Sequence, residues 1–408
     1  EPTYDPNIWA KGLTVKQAKD MFSVNNGVPA LFKPIQGLYA PASTFKAFSI
    51  LAAVKAGYPL NASYDCPASV KIGNRDFKNF ESKPMGRISM KTAIAVSCDT
   101  VWYQIAYDEW LKDGGLSPKN PNDYFFKTAH LFQFDKKTGI DLPSEAAGRI
   151  PDRQWKIDWY NQNKDFYCNY QARAAKKDLT SFLILLAKEN CTDGDKLRAG
   201  DAVNFSIGQG DTVITPLKQA QIYSAIANGG TLWQPLVAKA IVKTDGTIVK
   251  TFTPKVDGKV EADPKTFEWL RDALHQVTIS GTAAGAFAGF PVHVSGKTGT
   301  GEVFGLNSNG TKKNSTSWFA SFAPTENPQF AVVVMVSQGG TGAAAAGVGA
   351  RQIYNTIYGV TGNKQVPENV IYPSGPPTKL PKISPTTKVA VVKASPTPTA
   401  SPTKKAVK

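Results

Sequence analysis

Residues Ser43 to Ala56 constrain the chain more than any other stretch. Phe45, Phe48, Ile50, Leu51 and Val54 make this segment apolar on most of its faces. Such a helix has to lie in the middle of a domain. Gly57 and Pro59 mark its end. It opens on Ser43-Thr44-Phe45-Lys46. Residues three apart share a helix face, so a hydroxyl and an amine can meet at the mouth of a buried helix. A serine hydroxyl is a poor nucleophile until something takes its proton, and a lysine drawn partly out of water can do so. The spacing alone decides nothing, because Ser401-Pro402-Thr403-Lys404 repeats it in a tail with no apolar face.

Two later motifs give Ser43 its context. Ser97-Cys98-Asp99 falls in a loop between two expected helices, where side chains can project into a cleft. If that loop is extended, Ser97 and Asp99 point one way and Cys98 the other. Ser63-Tyr64-Asp65 has the same pattern, but in a polar stretch soon after the first helix. Lys297-Thr298-Gly299-Thr300 continues a strand-like run from Val292, with small residues that let a ligand lie against the backbone. Lys137-Thr138-Gly139 also fits, but Gly139 reads there as a helix stop.

The order S-x-x-K, S-x-D, K-T-G supplies what acyl transfer requires. Ser43 is the nucleophile and Lys46 the base, Ser97 relays a proton to the leaving nitrogen, and Asp99 holds that network. Backbone N–H groups of Ser43 and Thr300 can form an oxyanion hole. Lys297, Thr298, Gly299 and Thr300 form a substrate-binding strand with cationic and hydroxyl groups for a carboxylate.

The remaining pattern gives an α+β architecture. Helices are expected over about 89–96, 100–111, 118–132, 179–188, 216–228, 263–279 and 344–358. Strands are expected at 232–242 and 247–252 about the Asp245-Gly246 turn. Three more follow at 292–300, 316–323 and 329–337, as an antiparallel sheet packed by helices. The last, Phe330 to Val336, is almost continuously apolar and reads as a central strand covered on both faces. Residues 1–372 form the catalytic domain. From Pro373 on, Pro, Thr, Ser and Lys dominate, and that tail is expected to be disordered.

The net charge of +15 is uneven, since seven lysines and no acid lie in residues 373–408. The bias suits anionic surroundings. A nucleic-acid role finds no zinc-finger spacing, RNA-binding aromatic signature or basic helix. The four cysteines and three scattered histidines lack metal-ligand spacing, so neither metal nor cofactor is expected. Cys168–Cys191 is the favoured bridge if the protein is extracytoplasmic. No membrane-length apolar stretch occurs, and the abrupt start at Glu1 reads as an N-terminal truncation.

The three motifs, with Tyr4-Asp5-Pro6-Asn7, Gln36-Gly37-Leu38-Tyr39, Thr138 to Glu145, Ile207-Gly208-Gln209-Gly210, Thr215-Pro216-Leu217 and Ser317-Trp318-Phe319, resemble a class B penicillin-binding protein. The likeness covers nearly all of residues 1–372. Asp99, where most relatives carry Asn, resembles the elongation-type penicillin-binding protein 2 subgroup. The resemblance implies a penicillin-binding transpeptidase fold and a peptidoglycan D,D-transpeptidase acting through acyl-Ser43, covalently inhibited by β-lactams. Its implied partners are stem peptides ending in D-Ala-D-Ala and a cell-wall glycosyltransferase engaged through an N-terminal module. Its implied location is the extracytoplasmic face of the membrane. Within it, Cys98 is a candidate for a bridge to Cys66 that pins the motif loop. A D,D-carboxypeptidase or β-lactamase-type hydrolase and a non-turnover penicillin sensor are the alternatives. No E-x-x-L-N run lies between Asp99 and Lys297 to activate a hydrolytic water.

Overall fold

The computed structural model describes residues 4–371 apart from 6, 25, 176–180, 304 and 308–309. The expected tail from Pro373 lies outside them, as does part of the helix expected over 179–188. The chain forms two units. Of the described residues, one comprises those in 4–237 and 254–371, the other Ala238–Thr253. In the second, Ala240–Val242 and Ile248–Thr251 pair as a hairpin whose turn is held by Thr247 N–H on Asp245 Oδ1, 2.8 Å. The partner of Thr231–Trp233 is not the strand after that turn, as expected, but Val256–Lys259.

The first unit is α+β. The helix Lys46–Lys55 is buried along nearly its whole length. Phe45 and Phe48 pack on Phe134 and Phe205, with Phe45 ring centroids 5.0 Å from both. Each such aromatic pair adds about 0.5–1.5 kcal/mol beyond the area it buries. The expected helix starts differently, however. Ala42–Phe45 is a tight 3-10 turn, and α-helical bonding begins only at Lys46. Thr100–Lys112, Pro216–Ala227 and Pro264–Ile279 form helices close to their expected ranges. Pro216 follows an N-cap Thr215 whose hydroxyl accepts from Lys218 N–H, 3.1 Å. The described residues within 153–193 carry three helices, Arg153–Cys168, Tyr170–Ala175 and Ser181–Asp193, where one was expected. Mixed aromatic and charged residues there hide the helical period. The Cys168–Cys191 disulfide ties the first of these helices to the last.

Three strands make the antiparallel sheet, in the order Phe330–Val336, Thr316–Ala323, Ser295–Gly301. The central strand is therefore Thr316–Ala323, whose eight residues are all buried. Phe330–Val336, expected at the centre, is at the edge and mostly half-buried. Its apolar run reflects helices rather than neighbouring strands. Pro216–Ala227 and Val348–Ile357 both pack on it. No helix among the described residues is long and apolar enough to cross a membrane.

Candidate active site

The turn bearing Ser43 is held from three sides. Ala42 N–H donates to Gly208 O, 2.8 Å. Gln219 Nε2 donates to Thr44 Oγ1, 3.1 Å, and Tyr223 OH to Thr44 O, 2.9 Å. Ala42 has φ +50°, a conformation a non-glycine residue adopts only where surrounding contacts impose it. Ser43 itself is half-buried and lines a cleft of about 290 Å³ with Phe80, Val96, Ser97, Asp99, Thr282, Thr298, Thr300, Thr341 and Gly342 among its walls.

Lys46 is fully buried and bonds to two residues of the cleft wall. Its ammonium donates to Asp99 Oδ1 at 2.5 Å, to Ser97 O at 2.8 Å and to Ser97 Oγ at 3.2 Å. Three acceptors match the three N–H bonds of an ammonium. Burial pulls the Lys46 pKa below the ordinary lysine value, and the Asp99 carboxylate offsets part of that fall. The motif loop is not extended, as expected, but strongly bent. Ser97 is left-handed at φ +60° and Asp99 is already helical as the N-cap of Thr100–Lys112. The bend still brings Ser97 and Asp99 to one amine and turns Cys98 away, into a disulfide with Cys66.

The strand Ser295–Gly301 forms the opposite wall. Thr298 and Thr300 face the cleft. Thr298 Oγ1 shares a hydrogen bond with Thr282 Oγ1, 2.6 Å, and Thr300 Oγ1 accepts from Gly342 N–H, 3.2 Å. Lys297 alternates to the other face. It is completely buried and donates to Thr298 O, 3.1 Å. Burial, and secondarily the charge of Lys46, hold its pKa well below the usual lysine range. Thr298 and Thr300 are the residues of this motif that line the cleft, and Lys297 is not among them.

The two decoys are elsewhere and otherwise engaged. Asp65 lies on an exposed strand beside Arg87, 3.8 Å. Thr138 is buried, with N–H and hydroxyl both on Glu145 Oε1 at 2.7 and 2.6 Å, and Gly139 N–H on Glu145 Oε2 at 3.0 Å. Gly139 is therefore part of a turn clamped by Glu145 and not a helix stop, because the preceding helix ends at Leu131. The sequence reading missed Phe80, Thr282, Thr341 and Gly342. Only the last two had a local signal, Gly339-Gly340-Thr341-Gly342 directly after a strand. A Cβ on Gly342 would lie 2.7 Å from Gly299 O, so the bare backbone is what lets this loop close on the strand.

The geometry predicts a pH effect. If Lys46 must be neutral to accept a proton, acylation rises with pH through its pKa. Asp99→Asn removes the carboxylate that favours the ammonium, so the acid limb of the acylation profile should move to lower pH. Rates of β-lactam acylation measured across pH check this, and an unmoved or alkaline-shifted limb would sink it.

The chain is similar to known proteins over most of its length. The penicillin-binding protein transpeptidase domain family matches residues 1–359. The peptidoglycan D,D-transpeptidase MrdA of Escherichia coli (strain K12) is 27% identical over 379 residues, covering 90% of this chain and 52% of that protein. The chain thus spans about half the length of the curated relatives it matches. Among solved structures, Pseudomonas aeruginosa PBP2 in complex with WCK 5153 has a TM-score of 0.67 at 25% identity, over 90% of this chain and 68% of that one. A chain of a peptidoglycan synthase complex, in a structure describing coordination of polymerization and crosslinking, has a TM-score of 0.66 at 26% identity, over 90% of this chain and 54% of that one. The match over residues 1–359 shows that the chain belongs to the penicillin-binding protein transpeptidase domain family.

Proposed function

We propose that this chain is the catalytic part of a peptidoglycan D,D-transpeptidase of the elongation type, with residues 1–372 as the catalytic domain. One arrangement carries the reading: the buried Lys46 ammonium held by Ser97 and Asp99, which line the same cleft as Ser43. Ser43 Oγ attacks the carbonyl carbon of the penultimate D-Ala of a donor stem peptide. Its proton passes to Lys46 Nζ in the neutral form. The hydroxyl of Ser97 hands its proton to the departing nitrogen and regains one from the Lys46 ammonium, so that D-Ala leaves as the free amino acid and Lys46 is neutral again. The acyl group stays on Ser43 as an ester until the amine of a second stem peptide attacks it. A new amide then forms and Ser43 Oγ regains a proton. Backbone N–H groups of Ser43 and Thr300 stabilise the oxyanion, and Thr298 and Thr300 bind the donor carboxylate with Lys297 adding positive potential.

β-Lactams enter the same cycle and stop in it, because the nitrogen expelled from the ring remains tethered to the acyl group. The likeness to a chain of a peptidoglycan synthase complex supports a glycosyltransferase partner in the cell-wall machinery. The two disulfides support work at the extracytoplasmic face of the membrane. Incubation with penicillin G followed by peptide mass mapping tests the assignment. The expected adduct is on the peptide containing Ser43, together with D-Ala release from a pentapeptide donor. An adduct confined to another residue, or none at all, would overturn it.

A further inference from the structure

Asp99 is an N-cap that does not cap. An Asp at the start of a helix ordinarily folds its carboxylate back onto the second or third backbone N–H. Asp99 makes no such bond and spends its carboxylate on Lys46. Two donors at the start of the helix Thr100–Lys112 are instead met by a residue far back in the chain. Asn79 Oδ1 accepts from Asp99 N–H at 2.8 Å and from Thr100 N–H at 3.1 Å.

The other half of the Asn79 amide is equally engaged. Nδ2 donates to Pro67 O at 2.8 Å and to Lys83 O at 3.1 Å, and lies 3.2 Å from Cys66 Sγ. The residue is 5% exposed, and its bonds lie in buried or part-buried surroundings, where they are stronger than in water. Two further links join the same segments. The Cys66–Cys98 disulfide crosses them covalently, and Thr100 Oγ1 donates to Pro67 O, 2.9 Å. Asn79 thus ties the strands before it to the motif loop and the helix after it.

We propose that Asn79 is a positioning residue for the reaction: by supplying the acceptor at the start of the Thr100–Lys112 helix, it keeps the Asp99 carboxylate on Lys46. Without it, two backbone N–H groups at the start of the helix lose their acceptor, and the bend that aims the Asp99 carboxylate at Lys46 loses its anchor. Lys46 would then lose the partner that favours its charged form. This inference rests on the acyl-serine reading given above. The charged and titratable groups around the pair are Lys297, on the strand opposite, and Tyr103, one turn along the helix, with Glu302 and Arg75 beyond it.

The test is the pH profile of acylation by a fluorescent penicillin, with near-UV circular dichroism to confirm folding. Asn79→Ala should lower the limiting acylation rate at least tenfold and move the acid limb to lower pH, the direction expected for Asp99→Asn. In the double variant Asn79→Ala/Asp99→Asn the two shifts should not add. Asn79→Asp keeps both acceptor bonds and adds a negative charge, so its limb should stay or move to higher pH. A purely structural residue would lower the melting temperature in both variants and leave the limb in place. A folded Asn79→Ala with the wild-type limb overturns the proposal. Should that variant not fold, Asn79→Asp decides, and an acid-shifted limb there overturns it. Wild-type protein that takes no label would overturn the acyl-serine reading and this inference with it, a result distinct from a labelled variant with an unmoved limb.

Discussion

Lys46→Met is expected to lose acylation by about 10²–10⁴-fold, the range that a positioned proton acceptor contributes. It should also lose stability, for a reason separate from catalysis. Met fills the space of the buried alkyl stem, so little packing is lost. What remains is the Asp99 carboxylate, 13% exposed, with its partner gone. Breaking a buried pair by removing one member costs on the order of 3 kcal/mol, because the other charge stays behind. Lys46→Met/Asp99→Asn removes that stranded charge and should recover most of the stability while remaining unacylated. Urea unfolding and stopped-flow labelling separate the two quantities. A single variant that acylates within tenfold of wild type would remove Lys46 from the proton path.

The second large effect is expected at Gly208. It has φ +70°, and a Cβ there would lie 2.5 Å from Phe45 Cβ and 2.6 Å from Ala42 O. The conformation alone costs a side-chain-bearing residue about 1–2 kcal/mol. The clash adds about 1–3 kcal/mol, because its partners are a backbone carbonyl and a packed aromatic stem. The strain would be delivered to the turn that aims Ser43. A displacement of about 1 Å at a reacting atom can cost around 10²-fold in rate. Gly208→Ala should therefore lose both stability and acylation. Gly57→Ala is the control, with φ +90° and no atom within 4 Å of the added Cβ. It should show the conformational cost and acylate like wild type. Equal acylation in both variants would mean that the Ser43 turn does not depend on its contact with Gly208.

These two sites mark how far the sequence could be read. Ser43, Lys46, Ser97 and Asp99 were legible because their chemistry is written in short spacings. Ser43, Ser97 and Asp99 line one cleft, and Lys46 bonds to the last two. Their backbone was less legible. Ser43 sits in a 3-10 turn and Ser97 in a left-handed bend, and both conformations are imposed by contacts with residues far away in the chain. The complete burial of Lys297 is set by packing from distant parts of the chain and has no local signal. Asn79 and Thr282 carried no local signal, since each acts on a partner that only the fold brings near. The edge position of Phe330–Val336 was misread because two helices packed on it make an edge strand as apolar as a central one.

The two disulfides bear on how the chain reaches its folded state. Cys66–Cys98 spans 32 residues and Cys168–Cys191 spans 23. On a chain-entropy view each closure restricts the unfolded ensemble by about 3–4 kcal/mol at room temperature. Together that rivals the whole net stability of an ordinary domain, about 5–15 kcal/mol. A chain held in a reducing cytosol therefore folds without that restriction and is the more exposed to proteolysis. One delivered unfolded to an oxidising compartment acquires it as the bonds close. Reducing agents during purification would thus act as denaturants for this protein.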